Sequence, residues 1–146
     1  MDISNGYGIR VSLFVQGCEH YCKNCFNPET WDFDNGQEWT LEKENELLKL
    51  CRRDCIQGLS ILGGEPLHPL NLSTVTNISK RFKENFPKKT LWIWTGYLLE
   101  EYIRNLEILN YVDVIVDGKY IEELKDITLK FRGSSNQRIL RKGIDF

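Results

Sequence analysis

The sequence predicts an α/β fold built on parallel strands. Short apolar runs alternate with amphipathic segments in the order β-α-β-α-β-α-β, and this alternation favours parallel strands joined by right-handed helical crossovers. A distinctive segment follows each of the four runs, and sites in such folds form at the carboxyl ends of the strands. The length of 146 residues, 41% of them hydrophobic, suits one domain, which we expect to span residues 1–146.

Four apolar runs predict the strands. They cover residues 9–16, 59–62, 91–94 and 112–116, and each is bounded by glycine or polar residues. The segments after them are, in order, a cysteine loop, Gly63-Gly64-Glu65-Pro66, Thr95-Gly96-Tyr97 and Asp117-Gly118-Lys119. Because these strands are expected to be parallel, the four segments should meet at one edge of the sheet.

Three amphipathic segments predict the helices. The first, residues 41–52, follows Thr40, whose hydroxyl suits an N-cap. The second has apolar residues at spacings of three and four and ends at Pro87. Its stripe consists of Leu72, Val75, Ile78, Phe82 and Phe86. The third covers residues 98–109, and the sequence from Tyr120 onward predicts no regular element.

Charge and hydropathy exclude several classes of partner. The formal net charge is −2, so no overall basic character points to nucleic acid or to an anionic membrane. No apolar run has the length of a membrane span, and the first ten residues lack the apolar core of a signal peptide. We therefore expect the chain to act in the cytoplasm, without a membrane or a nucleic acid as partner.

The cysteines carry the strongest chemical signal. Five are present, and an odd number in a reducing compartment argues for metal-binding or catalytic thiols instead of disulfides. Cys18, Cys22 and Cys25 share one loop with the spacing C-x3-C-x2-C, which allows their sulfurs to converge on one metal centre. Thiolates are the ligands of iron–sulfur clusters, and three of them leave one iron of a [4Fe-4S] cluster open to a small molecule.

Structural zinc is the alternative for this loop and would make the chain a non-enzymatic adaptor. Zinc in structural sites takes four protein ligands, so His20, His68, Cys51 or Cys55 would have to supply the fourth. Cys51 and Cys55 stand four residues apart in or near a helix, and we interpret both as buried structural thiols. We interpret His20 and His68 as incidental.

Five stretches in a fixed order resemble a known family. C-x3-C-x2-C after a first strand, with Gly-Gly-Glu after the second, is the pattern of radical S-adenosylmethionine enzymes. The ordered set is most similar to the family of activating proteins of anaerobic ribonucleoside-triphosphate reductase. It consists of GIRVSLFVQGCEHYCKNCFNPETW, LGGEPLHPLN, LWIWTGY, VDVIVDGKY and FRGSSNQ. The resemblance implies a partial, incomplete parallel β/α barrel of the radical S-adenosylmethionine type.

The resemblance also implies a glycyl-radical-activating oxidoreductase with two cofactors, a [4Fe-4S] cluster and S-adenosylmethionine. Cys18, Cys22 and Cys25 would hold three irons, and S-adenosylmethionine would chelate the fourth. One-electron reduction would release methionine and a 5′-deoxyadenosyl radical, which would remove a hydrogen atom from a glycine Cα of the reductase. This chemistry belongs to the cofactors and needs no general base or nucleophile, so no catalytic side chain is predicted.

Residues at three strand ends are implied to bind S-adenosylmethionine. The glycines after the second strand let a ligand approach the backbone, and the carboxylate beside them suits the amino group of the cosubstrate. A hydroxyl, a carboxylate and an ammonium group after the third and fourth strands would also help to hold it. The residues assigned in this way are Gly63, Gly64, Glu65, Thr95, Asp117 and Lys119.

The cysteine loop departs from the wider family at the expected adenine contact. Many radical S-adenosylmethionine enzymes have an aromatic residue immediately before the third cysteine, where this chain has Asn24. The aromatic side chain is instead Phe26, directly after Cys25. We assign all three residues to the cofactor-binding region.

The same resemblance implies the partners. They are the large subunit of anaerobic ribonucleoside-triphosphate reductase and an electron donor such as flavodoxin, and a homodimer is also considered. Residues 132–138 (RGSSNQR) either contact the reductase or form a solvated tail. A radical enzyme acting on a small molecule is the second alternative, because small members of the superfamily modify nucleobase precursors.

Overall fold

A five-stranded sheet organises the fold. The computed structural model describes residues 1–23, 25, 31–34 and 36–146. The strands lie side by side in chain order, the first four pair in parallel, and the fifth is antiparallel to the fourth. They are β1 (Arg10–Val15), β2 (Gly58–Gly63), β3 (Thr90–Trp94), β4 (Val114–Asp117) and β5 (Arg138–Arg141). The predicted parallel α/β arrangement is confirmed.

The sheet is open, and a partial barrel is not confirmed. β1 and β5 form its two edges within the described residues. The short strand β5 was not predicted, because only Leu140 of its four residues is buried and its sequence RILR therefore has no clear alternating pattern. At the other edge, Asp2 pairs with Arg10 through two backbone hydrogen bonds of 2.7 and 2.8 Å.

Two helices were predicted correctly. Helix α1 spans Leu41–Cys51, and Thr40 Oγ1 accepts a hydrogen bond from the Lys43 amide at 3.2 Å, as an N-cap does. Helix α2 spans Pro69–Asn85 and begins before the first residue of the predicted stripe. His68 caps it, because its Nδ1 accepts from the Leu70 amide at 3.1 Å. Within the described residues, neither these nor any other helix is long and apolar enough to cross a membrane.

The predicted third helix is wrong as a continuous element. The chain forms one π-helical turn, Leu99–Ile103, and a separate 3-10 turn, Glu107–Asn110. Ile103 and Ile108 are both buried, but their spacing of five residues is too wide for one face of a regular α-helix. The chain therefore breaks between them so that both side chains reach the core.

The two faces of the sheet have different coverings. A main hydrophobic core lies on one face and a smaller one on the other, and successive residues of β3 point to opposite faces. Leu91 and Ile93 belong to the main core together with residues of α1 and α2, whereas Trp92 belongs to the smaller core. The smaller core includes the ring of Phe131, whose centroid is 5.3 Å from that of Trp92. Helices α1 and α2 thus pack on one face of the sheet, and Phe131 packs on the other.

Candidate functional site

A cavity of about 590 Å³ lies at the carboxyl ends of the parallel strands. Its walls come from the cysteine loop after β1 and from the segments after β2, β3 and β4. Eight of the residues predicted for the site line it: Cys18, Cys22, Cys25, Gly63, Gly64, Glu65, Thr95 and Lys119. The expectation that the four strand-end segments meet at one edge is therefore met by their geometry.

The cysteine loop is joined to the end of β2 by the backbone. The Glu65 amide donates to the Gly17 carbonyl at 2.6 Å, and the Gly64 amide donates to the Val15 carbonyl at the same distance. Gly17 has a φ of +100°, and a Cβ there would lie 2.0 Å from the ring of Phe33. A glycine is therefore required at the point where the chain leaves β1 and enters the loop.

The three loop cysteines are free thiols in a partly desolvated environment. Burial raises the pKa of Cys18 to about 11, with the charges of Glu65, Cys22 and Cys25 acting in the same direction and a hydrogen bond from the His20 amide acting against them. Burial also raises the pKa of Cys22, against the opposing effect of a hydrogen bond from the Tyr120 amide and the charge of Lys119. The thiols of Cys18 and Cys22 would therefore have to lose protons when they bind a metal centre.

The chemistry of the three loop thiols suits an iron–sulfur cluster. Among the residues that the structure describes, no three Cys, His, Asp or Glu side chains converge closely enough to hold one metal ion. Each thiolate of a [4Fe-4S] cluster binds a different iron, so cluster ligands stand farther apart than the ligands of zinc. Cys18, Cys22 and Cys25 share one cavity, and a cluster held by all three remains a prediction.

Glu65 is the most highly connected side chain of the cavity wall. It is 1% exposed, and its Oε2 accepts hydrogen bonds from Thr95 Oγ1 and the Leu67 amide, each at 2.8 Å. Its Oε1 accepts from the Gly96 amide at 2.7 Å and lies 2.7 Å from Nε2 of His20. One carboxylate thus links the ends of β2 and β3 to the cysteine loop.

The sequence interpretation missed His20. The sequence pattern alone suggests an incidental role, but His20 contacts Glu65 and packs edge-on against Tyr97 with ring centroids 4.8 Å apart. The position of His20 between the first two cysteines was the available signal. The position in the sequence does not reveal the contact with Glu65, because this contact depends on how the loop folds back over the end of β3.

Asp117 does not line the cavity, in contrast to Gly118 and Lys119 beside it. Its carboxylate is fully buried and accepts from the Leu99 amide at 2.9 Å and from Arg138 Nε at 2.9 Å. Arg138 also pairs with Glu100 at 2.8 Å. These contacts fix the chain after β4, and a contact of Asp117 with a cosubstrate remains a prediction.

Asn24 and Phe26, which were assigned to the cofactor region from sequence, lie outside the described residues. The expectation for Cys51 and Cys55 is half correct. Cys51 is fully buried in the main core, whereas Cys55 is exposed because it follows the end of α1. Neither of these two cysteines lines the cavity.

Known proteins similar to this chain match it over almost its whole length. Residues 4–140 match the family described as the 4Fe-4S single cluster domain. The anaerobic ribonucleoside-triphosphate reductase-activating protein of Enterobacteria phage T4 is 47% identical over 94% of this chain and 87% of its own length. The chain belongs to this family of activating proteins. No solved structure matches it.

Two cellular members of the activating-protein family show similar coverage. The protein of Vibrio cholerae is 44% identical over 97% of this chain and 93% of its own length. That of Escherichia coli K12 is 41% identical over 94% of this chain and 91% of its own length. The resemblance inferred from the five ordered stretches is thereby confirmed.

In this member of the activating-protein family, the segment before β5 forms part of the cavity. Arg132 and Gly133 line it, and Ser134 is fully buried, so residues 132–138 are not a solvated tail. Arg132 Nη1 donates to the Gln137 carbonyl at 2.6 Å. Arg132 Nε is buried without a hydrogen-bond partner among the described residues. A buried, unpaired N–H is unfavourable, so an acceptor there would be stabilising.

Proposed function

We propose that the chain is a radical S-adenosylmethionine enzyme that installs a glycyl radical on anaerobic ribonucleoside-triphosphate reductase. The observation that carries the proposal is the shared cavity of the three loop cysteines and the Gly63-Gly64-Glu65 turn, in a chain of the activating-protein family. Reduction by a donor such as flavodoxin, a cytoplasmic location and a homodimeric state belong to the same proposal.

Cys18, Cys22 and Cys25 would hold the [4Fe-4S] cluster. Their loop is fixed on one side by the hydrogen bond from the Cys18 amide to the Trp31 carbonyl at 3.1 Å, and on the other by the bond between Glu65 and Gly17. Partial burial would limit the access of water and oxidants to the bound cluster. When bound, the cluster supplies the electron that cleaves S-adenosylmethionine into methionine and the 5′-deoxyadenosyl radical.

The cavity walls offer complementary charges to the methionine part of the cosubstrate. The Gly63-Gly64-Glu65 turn presents backbone carbonyls, which suit an ammonium group, and the buried Glu65 carboxylate adds a negative charge beside them. Lys119 and Arg132 line the same cavity, and their cationic groups suit a carboxylate. Thr95 acts indirectly, because its hydroxyl donates to Glu65 at 2.8 Å.

The substrate would be a glycine-bearing loop of the reductase that enters the cavity from its open side. Phe14 and Ile127 line the cavity and are 53% and 87% exposed, so apolar surface is available for a partner. A radical needs protection from solvent components, and a docked protein loop would provide it. Glycine has no side chain to keep its Cα away from the radical.

The test is anaerobic reconstitution followed by EPR. The reduced protein should show a cluster signal that changes when S-adenosylmethionine is added, and the reductase should then acquire a glycyl doublet. The doublet should vanish when the target glycine of the reductase is replaced by alanine. Efficient modification of a free small molecule, without a radical on the reductase, would reject the proposal.

A further inference from the structure

His20 connects the cysteine loop to the end of β2 through a side-chain contact. Its Nε2 lies 2.7 Å from Glu65 Oε1, and the His20 side chain is only 11% exposed. An ionised carboxylate can only accept a hydrogen bond, so the imidazole Nε2 is the donor in this pair. The donor comes from a residue between Cys18 and Cys22, within the loop assigned to the cluster.

The acceptor positions of Glu65 are all used. A carboxylate offers about four of them, and Glu65 receives hydrogen bonds from His20, the Gly96 amide, the Thr95 hydroxyl and the Leu67 amide. The last three donors belong to the segments that follow β2 and β3. The His20 side chain thus provides the hydrogen bond that connects the Glu65 carboxylate to the cysteine loop.

Because Gly96 has no side chain, a space remains beside it for the His20 imidazole, and we call this space the slot. A Cβ on Gly96 would lie 2.6 Å from both Cδ2 and Nε2 of His20, and the three nearest atoms would all belong to that ring. Gly96 does not have a left-handed φ, so its backbone conformation does not itself require glycine. The Tyr97 ring also packs edge-on against the imidazole. The contacts of the imidazole with Gly96 and Tyr97 therefore help to fix the position of the His20 Nε2 donor.

We propose that His20 is a positioning residue that sets the Glu65 carboxylate relative to the cysteine loop, and that Gly96 provides the slot that this contact requires. The inference rests on the proposed function, in which the loop holds the cluster and the Gly63-Gly64-Glu65 turn holds the amino group of S-adenosylmethionine. The cosubstrate has to reach both groups at once. A fixed relation between them therefore favours its binding without adding a contact to it.

The first test replaces His20 and measures S-adenosylmethionine binding to the reconstituted protein by anaerobic equilibrium dialysis. His20→Ala should retain wild-type iron content but bind the cosubstrate roughly ten-fold more weakly, a typical loss when a group that orients a ligand is removed. His20→Gln should restore most of the affinity, because its amide nitrogen can take the place of the imidazole Nε2. His20→Asn is shorter and should not restore it.

The second test displaces the imidazole without removing it. Gly96→Ala keeps the backbone amide that bonds Glu65 but places a methyl group in the slot of the ring. We expect a loss of affinity similar to that of His20→Ala. The double variant should be no weaker than His20→Ala alone, because both changes remove the same contact. Glu19→Gln is the matched control, because Glu19 lies in the same loop but is 61% exposed and pairs with His68. This variant should bind S-adenosylmethionine as tightly as the wild type does.

The outcomes separate this inference from the proposed function. If the wild-type protein with its cluster binds no S-adenosylmethionine, the proposed function fails. If the wild type binds it and both His20→Ala and Gly96→Ala bind it equally well, only the positioning role is rejected. Strictly additive losses in the double variant would also reject that role, as would loss of iron in both single variants.

Discussion

The five cysteines differ in which part of the molecule surrounds them, and this difference predicts which of them bind iron. Cys22 lines the cavity, whereas Cys51 is buried in the main core. Cys22→Ala should lower the iron content after anaerobic reconstitution, since it removes one of the three proposed ligands. Cys51→Ala should load iron as the wild type does, apart from a modest loss of stability.

Iron and sulfide analysis, together with visible absorbance, measures this result for each of the five alanine variants. Cys55→Ala is the matched exposed control. Full iron loading in Cys22→Ala would contradict the assignment of the loop, and so would cluster loss in Cys51→Ala.

The charge of Glu65 should affect the cosubstrate more than the cluster. Glu65→Gln keeps the size of the side chain but turns one acceptor oxygen into an amide donor that would face existing donors such as Thr95 or Gly96. The change would remove the buried negative charge and weaken the charge-assisted hydrogen bonds that fix the turn, each worth about 1.5–3 kcal/mol, so we expect cosubstrate affinity to fall by roughly ten-fold or more.

Equilibrium dialysis with S-adenosylmethionine and iron analysis of the same samples would test this prediction. Gly64→Val should be at least as damaging, because a branched side chain would occupy the space of the ligand. Unchanged affinity in both variants would show that this turn does not serve the cosubstrate.

At the scale of single elements, the N-terminus of α1 depends on one side chain. Thr40 Oγ1 accepts a hydrogen bond from the Lys43 amide, and loss of such a cap costs about 1 kcal/mol. Thr40→Ala should lower the free energy of unfolding by that amount without changing cosubstrate affinity. Thr74→Ala, at an exposed position within α2, should be neutral or slightly stabilising. Urea unfolding of the cluster-free protein measures both effects.

The ion pair between Glu100 and Arg138 should make stability depend on pH in the acid range. The hydrogen bond from Arg138 lowers the pKa of Glu100 to about 2 from its ordinary value of 4.5. A depressed pKa in the folded state stabilises the protein above the unfolded-state pKa. This contribution should be lost as the pH falls from about 4.5 to about 2.

Urea unfolding of the wild type and Glu100→Gln at several pH values isolates this contribution. The wild type should be the more stable at pH 6, and the difference should disappear near pH 2. The effect should be small because Glu100 is 52% exposed. A difference that is constant with pH would contradict the ion-pair explanation.

For the whole molecule, the open side of the cavity predicts where the reductase docks. Ile127 lines the cavity and is 87% exposed, so an aspartate there would place a charge in the proposed apolar contact. Ile127→Asp should weaken the interaction with the reductase by roughly ten-fold while leaving iron content and cosubstrate affinity unchanged.

Anaerobic pull-down with purified reductase and the yield of the glycyl EPR doublet give two measures of this interaction. Ile144→Asp is the matched control, because Ile144 is 79% exposed but does not line the cavity. Equal weakening by both changes would indicate a general effect of charge instead of a docking site at the cavity.

The sequence by itself determined the order of the main elements and the residues that we propose to carry the chemistry. The spacing of Cys18, Cys22 and Cys25, the glycines after β2 and the stripe of α2 are local patterns. Each reflects the ligand geometry of a short loop, the conformational freedom of glycine or the helical period. Such patterns can be recognised without knowing what the chain contacts elsewhere.

Only the tertiary structure decided the contacts between distant segments. His20 and Glu65 are separated by 45 positions in the sequence, and Asp117 and Arg138 by 21, so no local pattern reveals these pairs. The antiparallel pairing of β5 likewise depends on packing beside β4. Burial makes these long-range pairs matter, because a carboxylate removed from water must find its donors wherever the fold brings them.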